Sequence, residues 1–241
     1  MSRTDYLLVV LLSLGCGPAQ HHVDEPGSDR ADVDVEEEPR EAEADDGMAI
    51  EGLRGSLNRD EVDPVLNRAA GRFAECYSAA LEDAPYLVGD LALSFSVGRD
   101  GAVRTVWTPT ATLGSRDVEE CILRHARSLR FPSPHGGEAE LDYGPMAMSP
   151  GDDARPPDVW EESRITEALE AHGDALRACT HGDGGFSVTF YIGPGGRVRS
   201  VGAVAPSAEQ QDSARCLEAE VAAWDGLPDP IDWVAKVSLE L

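Results

Sequence analysis

The chain has 241 residues, 45 acidic and 20 basic, for a formal charge of −25. That balance excludes a duplex nucleic-acid binder, which must set clustered Lys and Arg against phosphates. The length fits one or two small domains, and the composition is that of a soluble protein apart from one short apolar run at the start.

That run, Tyr6 to Leu14, follows Arg3 and precedes Gly15-Cys16. Nine residues are too few to span the roughly 30 Å of bilayer hydrocarbon as a helix, but they suit the core of an export signal. The Leu-Gly-Cys ending resembles a bacterial lipobox, which predicts a lipoprotein signal peptide over residues 1–15 and lipidation of Cys16. Ordinary cleavage near Ala19 is the alternative. Gly17 stands where an Asp would signal inner-membrane retention, so the expected location is the outer membrane, with the lipid as the sole membrane contact.

Residues 16–50 then read as an acidic linker, for instance "DVDVEEEPREAEADD", with almost no large apolar side chains. Such a stretch buries too little surface to offset its ordering entropy, so a disordered tether is expected. His21-His22 and the acid run lack the fixed spacing of a metal site.

An internal repeat organises the rest. "LSFSVGRDGAVRTV" (residues 93–106) aligns without a gap on "VTFYIGPGGRVRSV" (residues 188–201), and at the same offset of 95 Cys121 falls on Cys216. One residue later "FPSP" from Phe131 falls on "LPDP" from Leu227, and Cys76 matches Cys179 after a deletion of eight residues. Each copy reads helix, strand, strand, helix, strand. The first helix carries its apolar face at Val62, Leu66, Ala69, Phe73, Cys76 and Tyr77, at helical spacing. Asp63-Pro64 suggests a cap followed by proline in the first helical position, so regular helix is expected from there. Leu91, Leu93, Phe95 and Val97 alternate as in a half-buried strand. The valines of the returning strand are three apart in both copies (Val103 and Val106, Val198 and Val201), a phase slip that predicts a β-bulge. Ser115 is the expected cap of the next helix, and Ser207 with Gln210 reads as a capping box. The fold class is therefore α+β, in two tandem units: residues 51–148 and, after a linker at 149–158, residues 159–241.

Four of the five cysteines lie within the units, two in each, one on each helix. In an exported protein an even set reads as disulfides. Of the three possible pairings, the duplication selects Cys76–Cys121 with Cys179–Cys216. No C-x-x-C redox pair occurs, and Cys179-x-His181 alone falls short of a closed zinc site.

Helix, hairpin, helix, "RFPSP" and closing strand together resemble a TonB C-terminal-type domain, and more closely the AgmX/PglI C-terminal domain of myxobacterial envelope proteins. "FAECYSAAL", "GDLALSFSVGRDGAVRTV" and "LGSRDVEECILRHARSLRFPSPHGG" carry the likeness, and the second unit is a degenerate copy. The resemblance implies an envelope interaction module without chemistry of its own, in which an extended peptide or protein segment adds to a sheet edge. Arg99, Arg104 and Trp107, beside the first hairpin, are the candidate binding surface.

No nucleophile elbow, zinc-protease or Walker sequence occurs. Gly98-Arg-Asp-Gly101 leads into a strand instead of a helix N-terminus, so it fails as a phosphate loop. His125 sits at a helical apolar position and reads as a core or boundary residue. A non-enzymatic binding or scaffolding protein without cofactor or metal is expected. The alternatives are an exported enzyme with a scattered site, or a structural protein whose second unit masks the first.

Overall fold

Asn58, in extended conformation, opens the first helix by accepting the backbone N–H of Asp60 with its side chain. Helix α1 (Arg59–Leu81) thus begins five residues before the expected start at Pro64. The cap outweighs the proline because the N–H that Pro64 lacks would have reached the carbonyl of Asp60. Asp60 is exposed, so water can replace that bond. The computed structural model describes residues 54–151 and 153–241. The readings made for residues 1–15, Cys16 and the whole linker to residue 50 lie outside them.

After α1 come β1 (Gly89–Val97), β2 (Val103–Trp107), α2 (Arg116–Arg127) and β3 (Ala139–Met148). The second copy follows as α3 (Thr166–Thr180), β5 (Ser187–Gly193), β6 (Arg197–Val204), α4 (Gln211–Ala222) and β7 (Ala235–Glu240). Between them lies a strand that the sequence did not announce, β4 (Asp158–Trp160). The sheets run β2-β1-β3 and β4-β7-β5-β6, so the two copies share one topology and β4 is an addition to the second. The fold is α+β, with four helices among the described residues and two disulfides.

Both expected bulges are present. The β1–β2 register shifts between Ser96 and Val97, and the β5–β6 register shifts at the matching pair, Tyr191 and Ile192. The hairpin ends repeat as closely. Gly101 has φ +75°, and a Cβ there would lie 2.0 Å from the carbonyl oxygen of Phe131. Gly196 has φ +63°, and its Cβ would lie 1.9 Å from that of Leu227. In each copy the same glycine carbonyl accepts the N–H of that same partner, from Phe131 at 2.9 Å and from Leu227 at 3.2 Å. These glycines let the turn dock on the segment that leads to the closing strand.

Two cores form, one per copy. Phe73, Leu93, Phe95 and Ile122 are buried in the first, and Phe190, Leu217, Val221 and Trp224 in the second. Tyr191 crosses over: it belongs to β5, yet it is fully buried within the first core. All described residues fall in one compact unit.

Two capping expectations need correction. Ser115 stands at the N-cap of α2, but its hydroxyl makes no cap bond. Ser207 donates to the side chain of Gln210 at 3.2 Å and does not cap backbone, and a 3₁₀ turn (Ala208–Gln210) precedes α4. Gln210 also reaches Asp183 at 3.1 Å, so the glutamine is drawn away from a reciprocal box.

Candidate functional site

The predicted hairpin surface does not converge. Arg99 is exposed in the turn and Arg104 is exposed on β2, whereas Trp107 is half-buried at the far end of β2. Arg104 is already engaged. Its guanidinium meets Asp100 at 3.1 Å and lies where a Cβ on Gly98 would stand. The backbone N–H of Ala102 and then the charge of Arg104 hold Asp100 below the usual carboxylate range. In the second copy Arg199 covers Gly193 in the same way, so this arginine is part of how the bulged hairpin is built.

The closing strands differ between copies. In the second, β4 adds to the outer edge of β7 in parallel, with Asp158, Val159 and Trp160 opposite Ala235, Lys236 and Val237. The equivalent edge belongs to β3, whose Ala139 to Leu141 match Ala235 to Val237 through their partners on β1 and β5. Among the described residues no strand pairs with the outer side of β3. The lead-in segment touches only its start, where Gly55 donates to Glu138 and Arg54 pairs with Glu140.

Between the β3 edge and the first turns of α1 lies a groove of about 530 Å³, with Leu57, Leu66, Leu141, Tyr143 and Met146 among its walls. Facing away from the core along the same stretch, Glu138 just before β3, Glu140 and Asp142 are exposed, and Asp142 also borders the groove. An extended segment laid on this edge would meet apolar surface on one side and carboxylates on the other.

The β2 and β6 sides of the two sheets instead face the seam between copies. Helix α2 packs on β6, and β2 meets the 3₁₀ turn before α4. Ser200 donates to the carbonyl of Gly114 at 2.7 Å. Lys236, the only lysine of the chain, donates to Val88 at 2.7 Å with its cation 5.8 Å from the Tyr191 ring centre. Burial lowers its pKa.

A cavity of about 250 Å³ lies in the seam, and equivalent positions line it from both sides: Thr108 with Ala203, Glu119 with Ala214, Leu123 with Glu218. Each pair is separated by the repeat offset of 95, as expected around a local two-fold axis. Glu119 and Glu218 are each only 6% exposed. The backbone N–H of Ala203 donates to Glu218 at 3.1 Å, and Arg116 lies 3.4 Å from its other oxygen. Burial, followed by the nearby charge of Glu218, pushes Glu119 up to about 8, and burial pushes Glu218 up to about 7. Buried acids beside a cavity are a feature that sequence reasoning missed. A glutamate one step from an apolar helical stripe looks like solvated surface until the partner helix is in place.

The cysteines pair as the duplication predicts, Cys76 with Cys121 and Cys179 with Cys216, at Cα separations of 5.8 and 5.4 Å. His125 is half-buried, one turn beyond Cys121, and its ring nitrogen joins the two sulfurs of the first bridge within 4.8 Å. In the disulfide those sulfurs are not thiolates, which is the form that binds a metal. No helix of the described residues is long and apolar enough to cross a membrane.

No protein-family model matches the chain. Over 117 residues it is 32% identical to the tyrosine-protein kinase MasK of Myxococcus xanthus (strain DK1622), a match that takes in 46% of this chain and 18% of the kinase. The chain therefore spans less than a fifth of the length of that relative.

Proposed function

We propose that this is a non-enzymatic, lipid-anchored protein of the cell envelope whose first repeat binds an extended segment of a partner protein along the outer edge of β3. The observation that carries this reading is β4: the equivalent edge in the second repeat takes up a strand from the chain itself. Main-chain hydrogen bonds supply affinity in such strand addition, and alternate side chains supply selectivity. The partner segment alternates apolar side chains, set toward Leu141 and Tyr143, with basic ones set toward Glu140 and Asp142. The resemblance to the AgmX/PglI and TonB C-terminal domains supports the same reading. Cys16 behind the apolar run supports a lipid anchor on the outer membrane, and the two disulfides fit an oxidising compartment.

The second repeat acts as a cover. It packs against α2 and β2 of the first, so the recognition edge is left to β3.

Photo-cross-linking side chains placed at Asp142 and Ala147 on β3 test the binding reading in cells, with exposed Arg68 on α1 as control. A defined partner adduct is expected at both β3 positions and not at Arg68. Equal adducts at all three, or none on β3, would sink it. The anchor is tested separately: Cys16→Ala should leave the membrane fraction, and retention there overturns lipidation.

A further inference from the structure

The polar groups of the seam are not required by the fold. Glu119, Glu218 and Thr108 are buried, and each stands where the other repeat carries an apolar residue: Ala214, Leu123 and Ala203. The seam could therefore be wholly apolar, and it is not. Glu218 is provided for, since Ala203 and Arg116 face its two oxygens. Glu119 is not. Its Oε1 has no hydrogen-bond partner and no solvent contact, and it fills the space that a side chain on Gly202 would take, 2.5 Å from the Cβ position there. The Thr108 hydroxyl, 5% exposed on the wall of the same cavity, is also without a partner.

We propose that Glu119 is a proton-operated latch between the two repeats: as a neutral acid it lets α2 close on β6 and α4, and loss of its proton loosens that contact and uncovers the β2 side of the first repeat.

The charges around Glu119 support this sense. From α4 it faces Glu218, a like charge once ionised, and Arg215, which is held by Asp212 at 2.6 Å. On its own helix Arg116 is shared between Glu120 at 3.0 Å and Glu218 at 3.4 Å. Arg124 and Arg127 line the cavity farther along α2 and are exposed. The strands contribute only the uncharged Thr108, Gly202 and Ala203 at this place. Of the nearby dipoles, only the Ser115 N–H favours the anion, and burial together with Glu218 outweighs it.

The direction follows from linkage. The folded pKa of Glu119, about 8, lies above the ordinary carboxylate value of 4.5. The closed form therefore holds the proton more tightly than the open form. Closure is fully favoured below pH 4.5, weakens as pH rises, and loses this contribution once pH passes about 8.

Hydrogen exchange of the exported full chain at about pH 6 and about pH 9, expressed as protection factors, reads the latch directly. Protection of Val201–Val204 and of α2 should fall at least about a hundredfold at the higher pH, while β1 stays protected. Glu119→Gln should cut that fall to about the tenfold that Glu218, at about 7, gives by itself, and Glu167→Gln, altered at an exposed position on α3 away from the seam, should leave it unchanged. Equal protection at both pH values in the unaltered protein overturns the latch, as does an undiminished fall in Glu119→Gln. If Glu119→Gln does not fold, Glu218→Gln keeps an acceptor for Ala203 and removes the like charge. A smaller fall is then expected, and an unchanged one refutes the proposal.

Discussion

The hydroxyl of Tyr191 closes on the backbone of Val88 from both sides, accepting its N–H at 3.1 Å and donating to its carbonyl at 2.9 Å. The two residues are 103 positions apart and belong to different repeats. Such a pairing satisfies both main-chain groups of one residue that lies outside any strand. It also draws a tyrosine that faces the first core across the seam, where it meets Tyr86 at 5.1 Å between ring centres. Tyr191→Phe keeps the ring and removes both bonds. A loss of about 1–3 kcal/mol is expected in urea unfolding, since the Val88 N–H is left without its partner. A change within about 0.5 kcal/mol would show that water replaces the hydroxyl at no cost.

The hairpin glycines give a sharper comparison. At Gly101 and Gly196 a methyl group would meet a backbone carbonyl that cannot move without shifting the closing segment, and both have positive φ. Gly136 also has positive φ, +84°, but nothing lies near its Cβ position. Alanine at Gly136 should therefore cost only the left-handed strain of about 1–2 kcal/mol. Alanine at Gly101 or Gly196 should cost distinctly more, read as a larger drop in melting temperature. Equal drops at all three positions would mean that the docking contact contributes nothing.

Much of this was legible in the sequence because the repeat prints the same local physics twice. A bulge inferred from one valine spacing is weak, but the same slip at Val103/Val106 and Val198/Val201 fixed it, and the register shifts fall at matching pairs. The cysteine pairing followed from the same symmetry. What stayed hidden depends on how the copies meet. Glu119 and Glu218 are polar residues on helical surfaces until the other copy covers them, and Tyr191 sits on a strand face that only the first repeat buries. The β4 strand was hidden for another reason: three residues with one exposed valine, Val159, carry no periodicity to read. At the hairpin of Arg99, Arg104 and Trp107, what the sequence did not show is that Arg104 pairs with Asp100 of its own turn.

The two disulfides link positions 45 and 37 residues apart. Chain entropy rises only with the logarithm of loop length, so each should contribute about 4 kcal/mol and the two should be nearly equal. Cys76→Ser/Cys121→Ser and Cys179→Ser/Cys216→Ser are therefore expected to lower unfolding free energy by similar amounts, measured by guanidinium titration of each double variant. Cys76 and Cys179 are both buried, whereas Cys121 is half-buried and its counterpart Cys216 is exposed. An imbalance larger than about 1 kcal/mol would assign the difference to packing around Cys121 and leave loop closure as the minor contribution.

The β4 strand supplies the last expectation. It shields the edge of β7 with three residues, and Asp158 anchors it by donating to the carbonyl of Val234 at 2.9 Å. Gly55 in the first repeat donates to the carbonyl of Glu138 at 2.6 Å, which precedes β3 as Val234 precedes β7. Both lead-in segments thus reach the same place, but only the second continues as a paired strand. Replacing Asp158–Trp160 by Gly-Ser-Gly removes that pairing and its Trp160 packing against the second core. The β7 edge then becomes a second free template of six residues, Ala235 to Glu240. If edge pairing is what β4 prevents, the variant should self-associate in sedimentation velocity at concentrations where the unaltered chain does not. It should also become sensitive to added extended peptides that alternate apolar and basic residues. A variant that keeps the sedimentation behaviour of the unaltered chain, with folding intact, would show that β4 is only a connector.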